Sequence, residues 1–157
     1  MKIKRVNPQR RKNIDKFIKK SWFSLDMILR GETVNLEKAD GFYMTENRTI
    51  MGLITYRIRD GEAEILSLDS CRENEGIGTA LLNAAIAEVK QKGCRRIVLI
   101  TTNDNTRALR FYQKRGFDIV CFYRNALAAS RKLKPEIPLS GIDGIPLRHE
   151  IELEMTV

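Results

Sequence analysis

The sequence predicts an α/β chain of mixed α+β character, built on a central mixed sheet of about seven strands flanked by helices. Three observations carry this. Strand-like segments follow one another over 41–70 with only two-residue turns between them, the mark of an antiparallel meander. From 76 to 124 helix-like and strand-like segments alternate, which implies right-handed crossovers and neighbouring parallel strands. One of those strands, "RRIVLITT", is a continuous apolar run, as expected for a strand covered on both faces.

The elements follow in order. "MKIKRV" alternates like a short strand until Pro8 interrupts it. From Asn13, the apolar residues Ile14, Phe17, Ile18 and Trp22 recur near helical spacing with lysines between them, giving an amphipathic helix. A second turn or helix is expected through Leu25, Ile28 and Leu29, closed by Gly31. "GFYMTE", "TIMGLITYRIR" and "EAEILSLDS" form the meander, turned by "NR" and "DG". Beyond the glycines at 76 and 78, Gly78, Leu82, Ala85, Ile86 and Val89 line one helical face, and Gly93 ends that helix. "NTRALRFYQKR" is a further helix stopped by Gly116, and "FDIVCFYR" a further strand. A short helix "ALAASRKL", the Pro/Gly-rich stretch "KPEIPLSGIDGIPLR" and the strand "HEIELEM" complete a single domain over 1–157.

Composition narrows the chemistry. No apolar run approaches the ~18 residues that span a bilayer. The basic opening segment is not followed by an apolar h-region or a small-residue cleavage site, so the chain reads as a cytoplasmic protein with no membrane partner. Three cysteines without a CxxC pair, and a single histidine, His149, suggest neither a disulfide framework nor a metal site. Net charge is +8 and pI about 9.6; such a surface favours a polyanion, including a polyphosphate cofactor, or serves as a solvated basic face.

The stretch "RENEGIGTALL" sets a polar loop with two glycines between a strand and a helix. A helix start carries unpaired N–H groups and partial positive charge, a seat for phosphate. Gly76 and Gly78 lack a Cβ, so the backbone can approach an oxyanion and adopt left-handed geometry, and Thr79 adds a hydroxyl. No Lys-Ser/Thr follows and the three-glycine dinucleotide fingerprint is absent. A second motif lies about 27 residues on: "NTRALRFYQKRGF", with Asn105 as a plausible N-cap and Ala108, Phe111 and Tyr112 on one face.

The two motifs in this order resemble the GNAT superfamily of acyl-CoA-dependent N-acetyltransferases. The family's first motif is Gln/Arg-x-x-Gly-x-Gly/Ala. Its second is Asn-x-x-Ala-x-x-x-Tyr-x-x-x-Gly-Phe, matched here at Asn105, Ala108, Tyr112, Gly116 and Phe117. One position departs: the Gln/Arg falls on Glu73, with Arg72 before it and Glu75 after. The resemblance implies acetyl-CoA as co-substrate and no metal. It places the diphosphate on main-chain N–H groups of Glu73, Asn74, Glu75, Gly76, Ile77, Gly78 and Thr79, with the acidic side chains facing solvent and Arg72, Lys114 and Arg115 offering a favourable field.

It further puts Leu66 and Leu68 on the strand edge that pairs with the pantetheine arm, the N–H of Leu68 polarising the thioester carbonyl. Asn105, Ala108 and Tyr112 complete the cofactor side, and Tyr112 donates a proton to the departing thiolate, its phenol being close in acidity to a thiol. Glu62 and Glu64 share the strand parity of Leu66 and Leu68, so a carboxylate there could take the amine proton through water, whereas Asp69 has the opposite parity and points away. Tyr112 also fits a core aromatic, and Glu62 and Glu64 a solvated strand end.

The acceptor side is expected from two segments: Trp22 to Gly31, and the long connection between the last two strands. Glu136 and Asp143 there could attract a cationic amine; Arg131, Lys132, Lys134 and Arg148 could attract a carboxylate. His149 could reach the acceptor or lie at the surface, and Cys71 is not expected to be catalytic. The function implied is acetyl transfer from acetyl-CoA to a primary amine of a small molecule or of a peptide or protein, by direct attack. A catalytically weak acyl-CoA-binding regulatory domain is the alternative. Nucleic-acid binding through Lys12, Lys16, Lys19 and Lys20 lacks a stacking platform. Edge strands leave a homodimer open.

Overall fold

The computed structural model describes residues 1–22 and 24–157. The elements are β1 (Lys2–Arg5), a 3-10 turn (Pro8–Arg10), α1 (Arg11–Trp22), β2 (Asp26–Leu29), β3 (Glu32–Asn35), β4 (Asp40–Glu46), β5 (Thr49–Arg59), β6 (Glu62–Ser70), α2 (Ile77–Gln91), β7 (Arg96–Thr102), α3 (Thr106–Lys114), β8 (Asp118–Tyr123), α4 (Ala126–Leu133), a second 3-10 turn (Ile142–Gly144) and β9 (Glu150–Thr156). Seven strands form a mixed sheet in the order β1-β4-β5-β6-β7-β9-β8, and β2 and β3 pair separately. The chain divides into two compact units: Met1–Met27, Asn35–Ile97 and Val157 in the first, Ile28–Val34 and Val98–Thr156 in the second.

In the first unit β1, β4, β5 and β6 are successively antiparallel, as the meander predicted. Helix α1 buries Ile14 and Ile18 completely, each worth about 1.5–3 kcal/mol of apolar burial. Helix α2 packs on the other side through Ile77, Leu81, Leu82, Ala85 and Val89. A β-carbon on Gly52 of β5 would stand 2.5 Å from Ile77 Cγ2 and 3.0 Å from Leu81 Cδ1, so the missing side chain is what lets the start of α2 lie against the strand. The far side of α2 is tied to β1 by Arg5, whose guanidinium donates twice to Glu88, at 2.8 and 2.9 Å. That pairing holds the Glu88 carboxyl down to about 2.

Two expectations need correction. The helical turn through Leu25, Ile28 and Leu29 is instead the strand β2. Arg30 and Gly31 both have positive φ, 50° and 76°, so Gly31 turns a tight hairpin into β3 rather than closing a helix. And β7 and β8 are not neighbours: β9 lies between them. Burial explains this. Leu153, Glu150 and Glu152 of β9 are buried, while β8 exposes Ile119, Val120 and Phe122, the pattern of an edge strand. Strand β9 pairs antiparallel with β8, Ile119 facing Leu153 and Tyr123 facing Glu150.

Strand β6 carries an extra residue. Thr55 pairs with Ser67 but Tyr56 pairs with Ile65, so Leu66 is a β-bulge. The bulge reverses the alternation on either side of it.

Gly52→Ala is expected to destabilise the protein by about 1–3 kcal/mol through overpacking. In thermal unfolding this would read as a Tm several degrees lower; an unchanged Tm would show that α2 has room to move off β5.

Candidate acyl-transfer site

In the first unit, the loop after β6 leads straight into α2. Residues 71–76 are exposed, and Asn74 and Gly76 have positive φ. Gly76 is the N-cap of α2 at φ 78°, ψ 3°, and no side-chain hydrogen bond caps the helix there. The space a β-carbon on Gly76 would enter is open for at least 4 Å. The second helix start differs: the Asn105 side chain caps α3 by accepting from the Ala108 N–H at 3.1 Å, as its sequence position predicted. Of the two loop glycines only Gly76 is left-handed; Gly78 sits in the first turn of α2. The exposed glycine start therefore leaves the positive end of the helix dipole without an N-cap side chain in front of it, an arrangement that suits an anion.

Two of the three expected supporting cations, Arg72 and Arg115, are engaged by other groups. Arg72 is ion-paired with Glu46 and lies 3.5 Å from Glu75. Arg115, in the second unit, stacks its guanidinium 3.7 Å from the Phe111 ring centroid and donates to the Phe111 carbonyl. Lys114, the third, is exposed.

The bulge at Leu66 redistributes the candidate bases. Residues directly opposite in an antiparallel pair share a face. Leu53, Thr55, Arg57 and Arg59 of β5 oppose Asp69, Ser67, Glu64 and Glu62. Ile54, Tyr56 and Ile58 oppose Leu68, Ile65 and Ala63. The shared parity of Glu62 and Glu64 with Leu68 is thus overturned, and so is the expectation that Asp69 points away from them.

The α1 side of β5 and β6 is a run of polar pairs. Glu64, only 6% exposed, accepts from Arg57 Nη2 and Nε at 2.7 and 3.0 Å. The hydroxyls of Thr55 and Ser67, 0% and 3% exposed, bond at 2.6 Å. Asp69 Oδ2 accepts from the Trp22 indole N–H at 2.6 Å. Glu62 is paired with Arg96 at 3.2 Å. Buried polar groups persist only when partnered, so this face is built to be polar. Leu66 is buried and Leu68 half-buried.

In the second unit, Tyr112 is 7% exposed, its ring set edge-on against Phe111 and Phe117 with centroids 5.1 and 5.3 Å away. Ala108 is half-buried. The long β8–β9 connection is pinned rather than loose. Arg131 donates to the carbonyls of Ile137, Pro138 and Leu147. Asn103 Oδ1 accepts from the N–H groups of Arg148 and His149, and Asp104 from that of Ile142. Arg131 is therefore a brace for the loop, not a lure for a carboxylate. Arg148 donates to Asn125 Oδ1; Glu136 and Asp143 are exposed.

Sequence reasoning missed the acids of β9. Glu150 accepts from the Arg30 N–H, and Glu152 accepts from Arg30 Nε and the Tyr123 hydroxyl. Alternating glutamates in "HEIELEM" look like a solvated face, and only the central position of β9 buries them. From the Trp22–Gly31 segment, Phe23 lies outside the described residues. Cys71 is exposed, Cys94 buried, Cys121 half-buried, and all are free thiols. Among the described residues no group of three or more His, Cys, Asp or Glu could hold a metal ion, and no helix is long and apolar enough to cross a membrane.

Known proteins share the sequence pattern and the fold. The family model described as Acetyltransferase (GNAT) family matches residues 10–117, and the chain belongs to that family. Over 141 residues it is 44% identical to the uncharacterized protein YxbD of Bacillus subtilis (strain 168), covering 89% of each chain. A GNAT family acetyltransferase from Elizabethkingia anophelis, solved with acetyl-CoA bound, superposes with a TM-score of 0.66 at 28% identity over 78% of each chain. An IAA acetyltransferase from Bacillus cereus ATCC 14579 shares the fold at TM-score 0.72 and 19% identity, over 99% of both chains.

His149 has a structural role. Its Nδ1 accepts the Asn125 N–H at 2.9 Å and its ring lies against Phe122. Desolvation first, then Arg148 and Arg124, lower its proton affinity below the ordinary value of 6.5. A folded-state value below the unfolded one means the unfolded chain binds more protons in between, so stability rises with pH there. The contribution is complete above about pH 6.5 and is lost as pH falls through the folded-state value. Urea unfolding between pH 7.5 and 5 should show an acid-side loss that His149→Gln diminishes; identical pH slopes for the two proteins would contradict it.

Proposed function

We propose that the chain is an acetyl-CoA-dependent N-acetyltransferase acting by direct attack of a primary amine, borne by a small molecule or by a peptide or protein. The observation that carries this is the glycine-started helix after β6: a left-handed, exposed Gly76 in open space at the N-cap of α2, so that no N-cap side chain stands in front of the helix. Family membership and a relative solved with acetyl-CoA support the same reading.

When bound, acetyl-CoA supplies an activated thioester. The residues of the chain would act as follows. The N–H groups of the 73–79 loop bind the diphosphate. The bulged edge of β6 at Leu66 and Leu68 holds the pantetheine arm, with the Leu68 N–H polarising the carbonyl. Asn105 fixes the start of α3, whose Ala108 and Tyr112 complete the cofactor contacts. Tyr112, held by Phe111 and Phe117, gives its phenolic proton to the departing thiolate. Three carboxylates of β6, Glu62, Glu64 and Asp69, share one face, and one of them takes the amine proton.

The acyl-CoA-binding regulatory alternative draws on Glu73, which stands where the family has Gln or Arg, and on the pairing of Arg72 with Glu46. Thiol release from acetyl-CoA across a panel of amines, alongside calorimetric CoA binding, separates the two. The transferase reading expects turnover that Tyr112→Phe lowers by about 10²-fold, the scale of general acid catalysis, while CoA affinity stays within threefold. CoA binding without thiol release for any amine would favour the regulatory domain, and no CoA binding would refute both.

A further inference from the structure

We propose that the free edge of β8 is the contact surface for a second copy of this chain, the two β8 strands running antiparallel about a two-fold axis at Cys121. The inference concerns the sheet edge and is independent of the acyl-transfer reading.

The seven-stranded sheet ends in β1 on one side and in β8 on the other. An open edge carries a row of unpaired N–H and C=O groups, and chains guard it with charge, above all with lysine. Strand β1 is guarded: of its four residues, Lys2, Lys4 and Arg5 are cations. Strand β8 is not. Ile119, Val120 and Phe122 are 49, 45 and 55% exposed, and no residue from Ile119 to Tyr123 is charged. Exposed apolar residues scattered singly are ordinary. Grouped along one strand edge, they form a patch that marks a contact surface.

The occupant is identified by the ends of the strand. Asp118 opens β8, and Arg124 follows its last residue. Both are exposed, and neither makes an ion pair among the described residues. Asp118 faces Glu154 across the β8–β9 ladder, a like-charge juxtaposition that costs stability. An antiparallel copy centred on Cys121 sets Asp118 against the partner's Arg124, and Arg124 against the partner's Asp118. In the same register Ile119 meets the partner's Tyr123, and Val120 meets the partner's Phe122. Apolar side chains then cover one another and the charges are matched at both ends. A shift of one residue sets Asp118 against Tyr123 or Asn125 and leaves Arg124 unmatched. A parallel copy in register sets Asp118 against Asp118. A foreign strand would need the same two charges in the reverse order, which the chain itself already carries.

The edge also limits the assembly to two copies. Val120 is an extra residue, since Ile119 pairs with Leu153 but Cys121 with Glu152. Such a bulge bends and twists its strand, which discourages open-ended pairing. A two-fold contact uses the same patch on both copies and closes on itself. The edges left over are the cationic β1 strands, which repel each other.

The test is the oligomeric state of the full chain. Sedimentation equilibrium between about 1 and 200 μM, a range that reads micromolar association, should show monomer and dimer with no larger species. Asp118→Arg and Arg124→Asp should each weaken the dimer by about tenfold or more, because each creates two like-charge contacts. Both substitutions in one chain restore opposite charges and should return Kd to within about threefold of wild type. Val120→Lys, a guard of the kind β1 carries, should abolish the dimer and leave the far-UV circular dichroism unchanged. Wild type that stays monomeric throughout overturns the proposal. So does a double variant no tighter than the single ones, or a dimer that survives Val120→Lys.

A second readout fixes the axis. In Cys71→Ser the exposed thiol is gone and Cys94 is buried. A short bismaleimide should then join Cys121 to the partner's Cys121, each thiol adding across one maleimide double bond. The covalent dimer should disappear in Cys71→Ser/Cys121→Ser and in Cys71→Ser/Asp118→Arg. No covalent dimer in Cys71→Ser, or one that persists without Cys121, overturns the two-fold axis at this residue.

Discussion

The close seating of α2 on β5 is the contact on which the candidate site depends. It exists because residue 52 has no side chain: Ile77 and Leu81, the first and second inward-facing residues of α2, occupy the space a β-carbon would take. The helix is thereby fixed at its N-terminal end, where its dipole is positive. Arg5 and Glu88 hold the opposite flank of the same helix. With the start of α2 immobilised, the 71–76 loop has a fixed end point, and left-handed Gly76 carries the chain into the first turn without placing a side chain in front of it. Rigid elements hold sites more precisely than loops do.

The bulge at Leu66 is the complementary device on β6. One extra residue in the strand moves Leu68 to the apolar α2 side and Ser67 and Asp69 to the polar α1 side. The same strand then offers backbone groups along its edge and carboxylates on its face. Burying Thr55, Ser67 and Glu64 is affordable only because each meets a partner on the neighbouring strand or, for Asp69, on α1. An unmatched polar group at such a place would cost about 1–3 kcal/mol. The pairs therefore fix the register of β5 against β6 as well as the chemistry of the surface between them.

Much of this was legible in the sequence, for reasons that can be named. The bounds of β5, β6 and α4 follow from turn chemistry and apolar periodicity, both local signals. Asn105 was recognisable as a cap because capping needs only a short polar side chain at one position. Non-local features were hidden. Leu25, Ile28 and Leu29 fit a helical stripe as well as they fit β2, and only the pairing with β3 decides between them. The insertion of β9 between β7 and β8 is set by hydrogen bonds far along the chain. The bulge leaves no mark on "EAEILSLDS", so counting parity through Leu66 put Asp69 on the wrong side. Arg131 read as a solvent-facing cation because its three carbonyl partners lie on a loop whose path no local pattern predicts.

The most direct measurement is a crystal structure of the protein grown with coenzyme A. The expected result is diphosphate oxygens within about 3 Å of main-chain nitrogens in the loop that opens α2, with Gly76 unchanged in its left-handed conformation. Coenzyme A bound at saturating concentration with its diphosphate held elsewhere, or that loop remaining vacant, would contradict the proposed use of this helix start.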